Sequence, residues 1–140
     1  MALTQGIALQ AKQDWLSGVH AAADTYKIAL YTSSATYGPT TTTYSSTNEV
    51  ANGNGYTTGG ATLSGFNVTL DGTTAILDFT TDPTWAAATI TARGFMIYNS
   101  SKSNKVLFVG DFGSDVSSTN DTFTVSFPAP AASTGLIRIA

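Results

Sequence analysis

No cysteine occurs among the 140 residues, which excludes disulfide staples, thiolate nucleophiles and cysteine-held metals. Histidine is nearly missing as well. A Ser-His-Asp arrangement would have to be built on His20, the only one present, yet no serine stands in a Gly-x-Ser-x-Gly elbow. Charge is scarce: Asp, Glu, Lys and Arg make up 11% of the chain, less than half of the roughly 25% in an ordinary soluble domain. The six basic residues, Lys12, Lys27, Arg93, Lys102, Lys105 and Arg138, are scattered. Nucleic acid and anionic membranes call for a dense basic footprint, so neither is an expected partner. No apolar run approaches the ~20 residues of a spanning helix. The opening Met1-Ala2-Leu3-Thr4-Gln5-Gly6 has neither the basic nor the apolar region of an export signal.

Uncharged polar residues stand where charge is missing, in runs such as Thr40 to Thr43 and Ser117-Ser118-Thr119-Asn120. Such a surface meets another protein without stripping water from ions. The formal net charge is only −3, which favours association. The later strands also hold little Lys or Pro to guard a sheet edge. A homo-oligomer, dimer or trimer, is therefore expected. The length and the 42% hydrophobic share suit one domain over residues 1–140 with a sizeable core.

One stretch reads as helix, over about residues 4–20. Ile7, Ala8, Ala11, Trp15 and Val19 form a stripe at spacings of three and four, while Gln10, Lys12, Gln13 and Asp14 face away. Thr4 is the candidate N-cap, and Gly18 with His20 fits the end. This helix either packs on a neighbouring subunit or closes one end of its own domain. Tyr26 to Tyr31 is then strand-like. A long Thr- and Gly-rich loop follows over about 32–60, with Tyr37, Tyr44 and Tyr56 able to pin it down. The second half repeats strand signals: Phe66 to Leu70, the Asp71-Gly72 turn, Ala75 to Phe79, Ala88 to Ala92, Gly94 to Tyr98, Lys105 to Phe112, Phe123 to Phe127 and Leu136 to Ile139. Without crossover helices a parallel sheet is excluded. The fold class is all-β: an antiparallel β-sandwich, jelly-roll or immunoglobulin-like, with a short N-terminal helix.

The search for chemistry ends without a site. Nine acidic residues are present, but glycoside chemistry needs two facing each other across a cleft. Asp111-Phe112-Gly113 matches the kinase magnesium triplet without the other kinase elements. Asp111, Asp115 and Asp121 could ring a structural cation from a loop, although their spacing is not that of an EF-hand. Gly53-Asn54-Gly55 precedes no helix and so cradles no phosphate. No catalytic, cofactor-binding or metal residue is assigned. An enzyme is not expected, and no cofactor is called for.

Three phrases carry a resemblance: Tyr26-Lys27-Ile28-Ala29-Leu30-Tyr31 through Thr36, Thr47-Asn48-Glu49-Val50 through Gly55-Tyr56 to Gly59-Gly60, and Ala92-Arg93-Gly94-Phe95-Met96-Ile97-Tyr98-Asn99. Together and in this order they resemble a family of small tailed-bacteriophage virion structural proteins, and the likeness runs across nearly the whole chain. It implies a non-enzymatic virion protein made in the host cytoplasm, a capsid decoration or cement protein whose partners are the major capsid protein or other virion subunits. Tail, neck or baseplate placement is the alternative. A carbohydrate-binding attachment module is the second, and would need exposed coplanar aromatics such as Trp85 with Tyr37 or Tyr44. Aromatics dominate interface energetics, so Trp15, Tyr37, Tyr44 and Tyr56 are the candidate interface anchors. Each equally suits an internal core.

Overall fold

The computed structural model describes residues 3–140. In chain order the elements are β1 (Gly6–Ile7), α1 (Leu9–Leu16), β2 (Tyr26–Tyr31), β3 (Ala61–Thr62), β4 (Ser64–Asp71), β5 (Thr74–Thr81), β6 (Thr84–Asn99), β7 (Lys105–Thr124) and β8 (Ile137–Ile139). They form two antiparallel sheets, ordered β1-β7-β6-β2-β3 and β4-β5-β8. The chain changes sheets at Leu63, between β3 and β4. The architecture is the expected all-β sandwich with one short helix.

Alternation builds the core between the sheets. Tyr26, Ile28 and Leu30 from β2 and Phe95 and Ile97 from β6 meet Leu77 and Phe79 from β5. The intervening residues of the larger sheet are buried too. Ala29, Tyr31, Met96, Tyr98 and Val109 lie beneath a second cluster that includes Leu3, Ala8, Ala11 and Ala35. The sandwich therefore has a third layer, made of the N-terminal segment and the long loop. This explains why Lys27-Ile28-Ala29-Leu30-Tyr31 and Phe95-Met96-Ile97-Tyr98 are nearly continuous apolar runs: a strand covered on both faces has no solvent side to fill with polar residues.

The helix is shorter than its sequence stripe. Thr4 does not cap it; the helix starts after Ala8, without a side-chain cap. Gly6 and Ile7 instead pair with Val109 and Phe108, because the open edge of β7 satisfies their backbone groups better than an uncapped first turn would. Asp14, expected to face solvent, is buried. Gln10 donates to its carboxylate at 3.2 Å, and the Lys105 ammonium stands 3.6 Å away.

Ala88–Ala92 and Gly94–Tyr98, which read as separate strands, are parts of the 16-residue β6. The break at Arg93-Gly94 is a register shift against β7 rather than a turn. A Cβ on Gly94 would lie 2.2 Å from the Gly110 carbonyl, so glycine is there for close approach of two backbones. The strand read over Phe123–Phe127 ends at Thr124 as the last part of β7.

Candidate interaction surface

The long loop is fastened by one carboxylate. Glu49 Oε1 accepts from Tyr56 Oη at 2.6 Å and from the Gly59 N–H at 2.7 Å, while Oε2 accepts from Tyr44 Oη at 2.7 Å. Tyr56 Oη in turn accepts from the Leu30 N–H at 2.9 Å, which ties the knot to β2. Next to it, Tyr98 donates to the Gly59 carbonyl, and the Tyr44 ring stacks on Tyr98 with centroids 4.5 Å apart. Burial holds Tyr44 and Tyr56 well above the usual phenol range, reinforced by the bond to Glu49. Tyr98 is pushed up to about 12 by burial and by the same carboxylate. All these phenols stay neutral donors. Gly60 sits at φ +78°, where a Cβ would fall 1.7 Å from the Ile28 carbonyl. The residues of the Asn-Glu-Val…Gly-Tyr…Gly-Gly phrase thus work as an internal clasp.

Of the four aromatic anchor candidates, Tyr56 is corrected to an internal residue: it is 2% exposed, with its hydroxyl consumed by Glu49 and Leu30. Tyr37 and Tyr44 are half-buried. Their hydroxyls go to the Thr47 carbonyl and to Glu49, so both pin the loop. Trp15 is half-buried at the edge of the helix. Trp85 is buried against Tyr56 and Phe123 and forms no exposed platform with Tyr37 or Tyr44.

The remaining polar chemistry is also turned inward. His20 is enclosed, with Nδ1 3.0 Å from the Asn99 amide nitrogen and Nε2 3.8 Å from Asp14 Oδ2. The amide must donate, so the neutral ring carries its proton on Nε2. Burial lowers the His20 pKa, against the opposing pull of Asp14 and Asp24. Asn99 also donates to Asp24 at 2.8 Å, which joins the segment after the helix to the β6–β7 turn. Asp111 pairs with Arg93 at 2.8 Å, and that bond holds its carboxyl below the usual range. Asp115 and Asp121 lie farther along β7. Among the described residues no three His, Asp or Glu side chains gather as a metal site.

Two surface features remain. A cleft of about 1000 Å³ opens beside β7 and the C-terminal segment, with Phe95, Phe108, Phe112 and Phe127 in its walls; among the described residues Asp111 is the only acidic side chain lining it. The second feature belongs to the small sheet. Phe66, Val68 and Leu70 on β4 stand opposite Phe79, Leu77 and Ala75 on β5, and Leu77 and Ala75 stand opposite Ile137 and Ile139 on β8. One face therefore carries the whole set. Its first part, with Phe79, Leu77 and Ile137, is core. Its far end is uncovered: Val68 is 56% exposed, Leu70 76% and Ile139 53%. Trp15 borders this end, across a hollow of about 110 Å³ whose lining is entirely apolar. The same helix leaves Leu16 94% exposed.

Sequence reasoning placed Val68 and Leu70 in a strand, by their alternation with Asn67 and Thr69. Alternation alone gives no sign that they are left exposed. Glu49 was missed as the clasp, although a lone acid among Tyr and Gly residues was the available signal. No protein-family model, curated protein or solved structure matches the chain.

Proposed function

We propose that the chain is a structural subunit of a tailed-phage virion, a capsid decoration or cement protein that acts by pressing its surface against the major capsid protein or other virion subunits. The observation that carries this reading is the uncovered end of the small sheet's inner face. Exposed aliphatics at Val68, Leu70 and Ile139 continue the core outward, on a chain with little charge to keep neighbours away. Contiguous apolar surface of this kind marks interaction sites. Each such side chain buried contributes about 1–2 kcal/mol, and symmetry-repeated copies add avidity. The reactive side chains support the same reading: Glu49, His20 and Asp111 are each engaged in holding the fold. The three resembling phrases supply the phage context, and their central residues Glu49, Gly60, Gly94 and Asn99 are ones a shared scaffold would need.

The test is to purify virions of the phage that encodes the chain, detect the protein by mass spectrometry and locate it by cryo-electron microscopy. Density over junctions between shell subunits is the expected result. Density on the neck, tail or baseplate would replace decoration with a joining role. Absence from purified particles, or turnover of a sugar or ester by the isolated protein, would refute the reading.

A further inference from the structure

β4 is an edge strand, since the small sheet runs β4-β5-β8 and nothing among the described residues pairs with its outer side. Edges of this sort are normally guarded by Lys, Pro or bulges. β4 (Ser-Gly-Phe-Asn-Val-Thr-Leu-Asp) has no Lys, Arg or Pro, and beyond Gly65 its register with β5 is unbroken from Phe66 to Asp71. The other open edges differ. β1, β3 and β8 are two or three residues long. β7 is interrupted by four register shifts and carries Asp111, Asp115 and Asp121.

The sequence of β4 is self-complementary. Antiparallel pairing with a second copy about a two-fold axis at Val68 sets Val68 against Val68 of the other copy, Phe66 against Leu70, and Asn67 against Thr69. Apolar residues then share one face and polar residues the other. Asp71, the only charged residue of the strand, falls opposite Gly65, so no like charges meet. A one-residue slip would put Leu70 and Val68 opposite polar partners on the wrong face. In the two-fold register the uncovered Val68 and Leu70 gain cross-strand neighbours that the isolated chain lacks.

We propose that two copies of this chain associate through β4, joining their small sheets into one continuous six-stranded sheet centred on Val68. The interface is isologous, and its occupant is the chain itself. The association needs no other virion component; it draws on the same exposed Val68 and Leu70 as the virion reading, and its test in solution is independent of where the protein sits in a particle.

The chain contains no cysteine, so Val68→Cys carries a single thiol whose Cβ faces its twin at about 4.5–5.5 Å across the axis, close enough for a disulfide after a small adjustment. Leu70→Cys places the two thiols four residues apart along the ribbon, about 13 Å, which no disulfide spans. Under mild oxidation the Val68→Cys protein should cross-link at least roughly tenfold faster than Leu70→Cys. By sedimentation velocity the unmodified protein should be dimeric at roughly 100 µM, and Val68→Lys should weaken association by roughly 100-fold. Mixing Val68→Lys with Val68→Glu should restore a heterodimer. A monomeric wild type would assign the face to a different protein and overturn the proposal. Equal cross-linking at 68 and 70 would overturn it too, as would dimerisation indifferent to Val68→Lys. Val68→Cys is the conservative variant and reports even where Val68→Lys fails to fold.

Discussion

Replacing Glu49 tests whether the loop is clasped as described. Its carboxylate receives three donors, and they do not lose equally when it is removed. Tyr44 is half-buried, so its hydroxyl can turn to water. Tyr56 is enclosed, and the Gly59 N–H points at the same oxygen from inside the loop. Leaving a buried donor unsatisfied costs about 1–3 kcal/mol, so two such donors put Glu49→Ala at about 4 kcal/mol. For a chain of this length that corresponds to a fall in Tm of about 12 °C. Glu49→Gln keeps one acceptor oxygen but turns an amide N–H₂ toward donors, and about 2 kcal/mol is expected. Urea unfolding followed by Trp fluorescence measures both. A double-mutant cycle of Glu49→Gln with Tyr44→Phe should return a coupling of about 1 kcal/mol. A loss below about 1 kcal/mol for Glu49→Ala would mean that the loop is held by its apolar contacts alone, and the clasp argument would be wrong.

Other expectations follow from the same geometry. Burial lowers the His20 pKa below 6.5, so between the two values the unfolded chain binds more protons than the folded one. Stability is therefore full above about pH 6.5 and declines as pH falls below it; His20→Gln should flatten the thermal-melt dependence between pH 7.5 and about 5.5. Asp78 is buried, its Oδ1 has no hydrogen-bond partner among the described residues, and burial raises its pKa. Its charged form opposes folding at neutral pH and ceases to do so as pH drops toward 3.8, so Asp78→Asn should stabilise the protein by about 1 kcal/mol at pH 7 in urea titrations and by little in acid. Gly60→Ala combines positive φ with a backbone collision. It should cost more than about 3 kcal/mol, seen as loss of soluble folded protein by circular dichroism.

Strand content was legible in the sequence because alternation and turn chemistry survive into the fold. Asp71-Gly72 closes the β4–β5 hairpin where the pattern put it, with Asp71 opposite Thr74. What stayed hidden depended on distant partners. The N-terminal stripe suited a long helix, yet the β7 edge captured Gly6 and Ile7. Asp14 looked like a solvent residue until Lys105 and His20 arrived from elsewhere in the chain. The third layer did leave a trace in the unbroken apolar runs of β2 and β6, which period-two reasoning passes over. For the interaction surface the limit was sharper. Tyr56 has the composition of an anchor, and its burial is decided by a glutamate seven residues away. Val68 and Leu70 belong to an alternating strand, and alternation does not reveal which of its apolar residues a second layer covers.

Because the larger sheet is greasy on both sides, its outer covering does more than finish the shape. Ala29, Tyr31, Met96 and Tyr98 lie on one buried apolar face, and what shields it is an eight-residue helix and a long loop. Detaching that shield would bare this face and would also pull Val50 and Tyr56 out of the core between the sheets, leaving a surface as adhesive as a folding intermediate's. Because the same loop serves both layers, losing the outer covering and losing the inner core are for this molecule a single event.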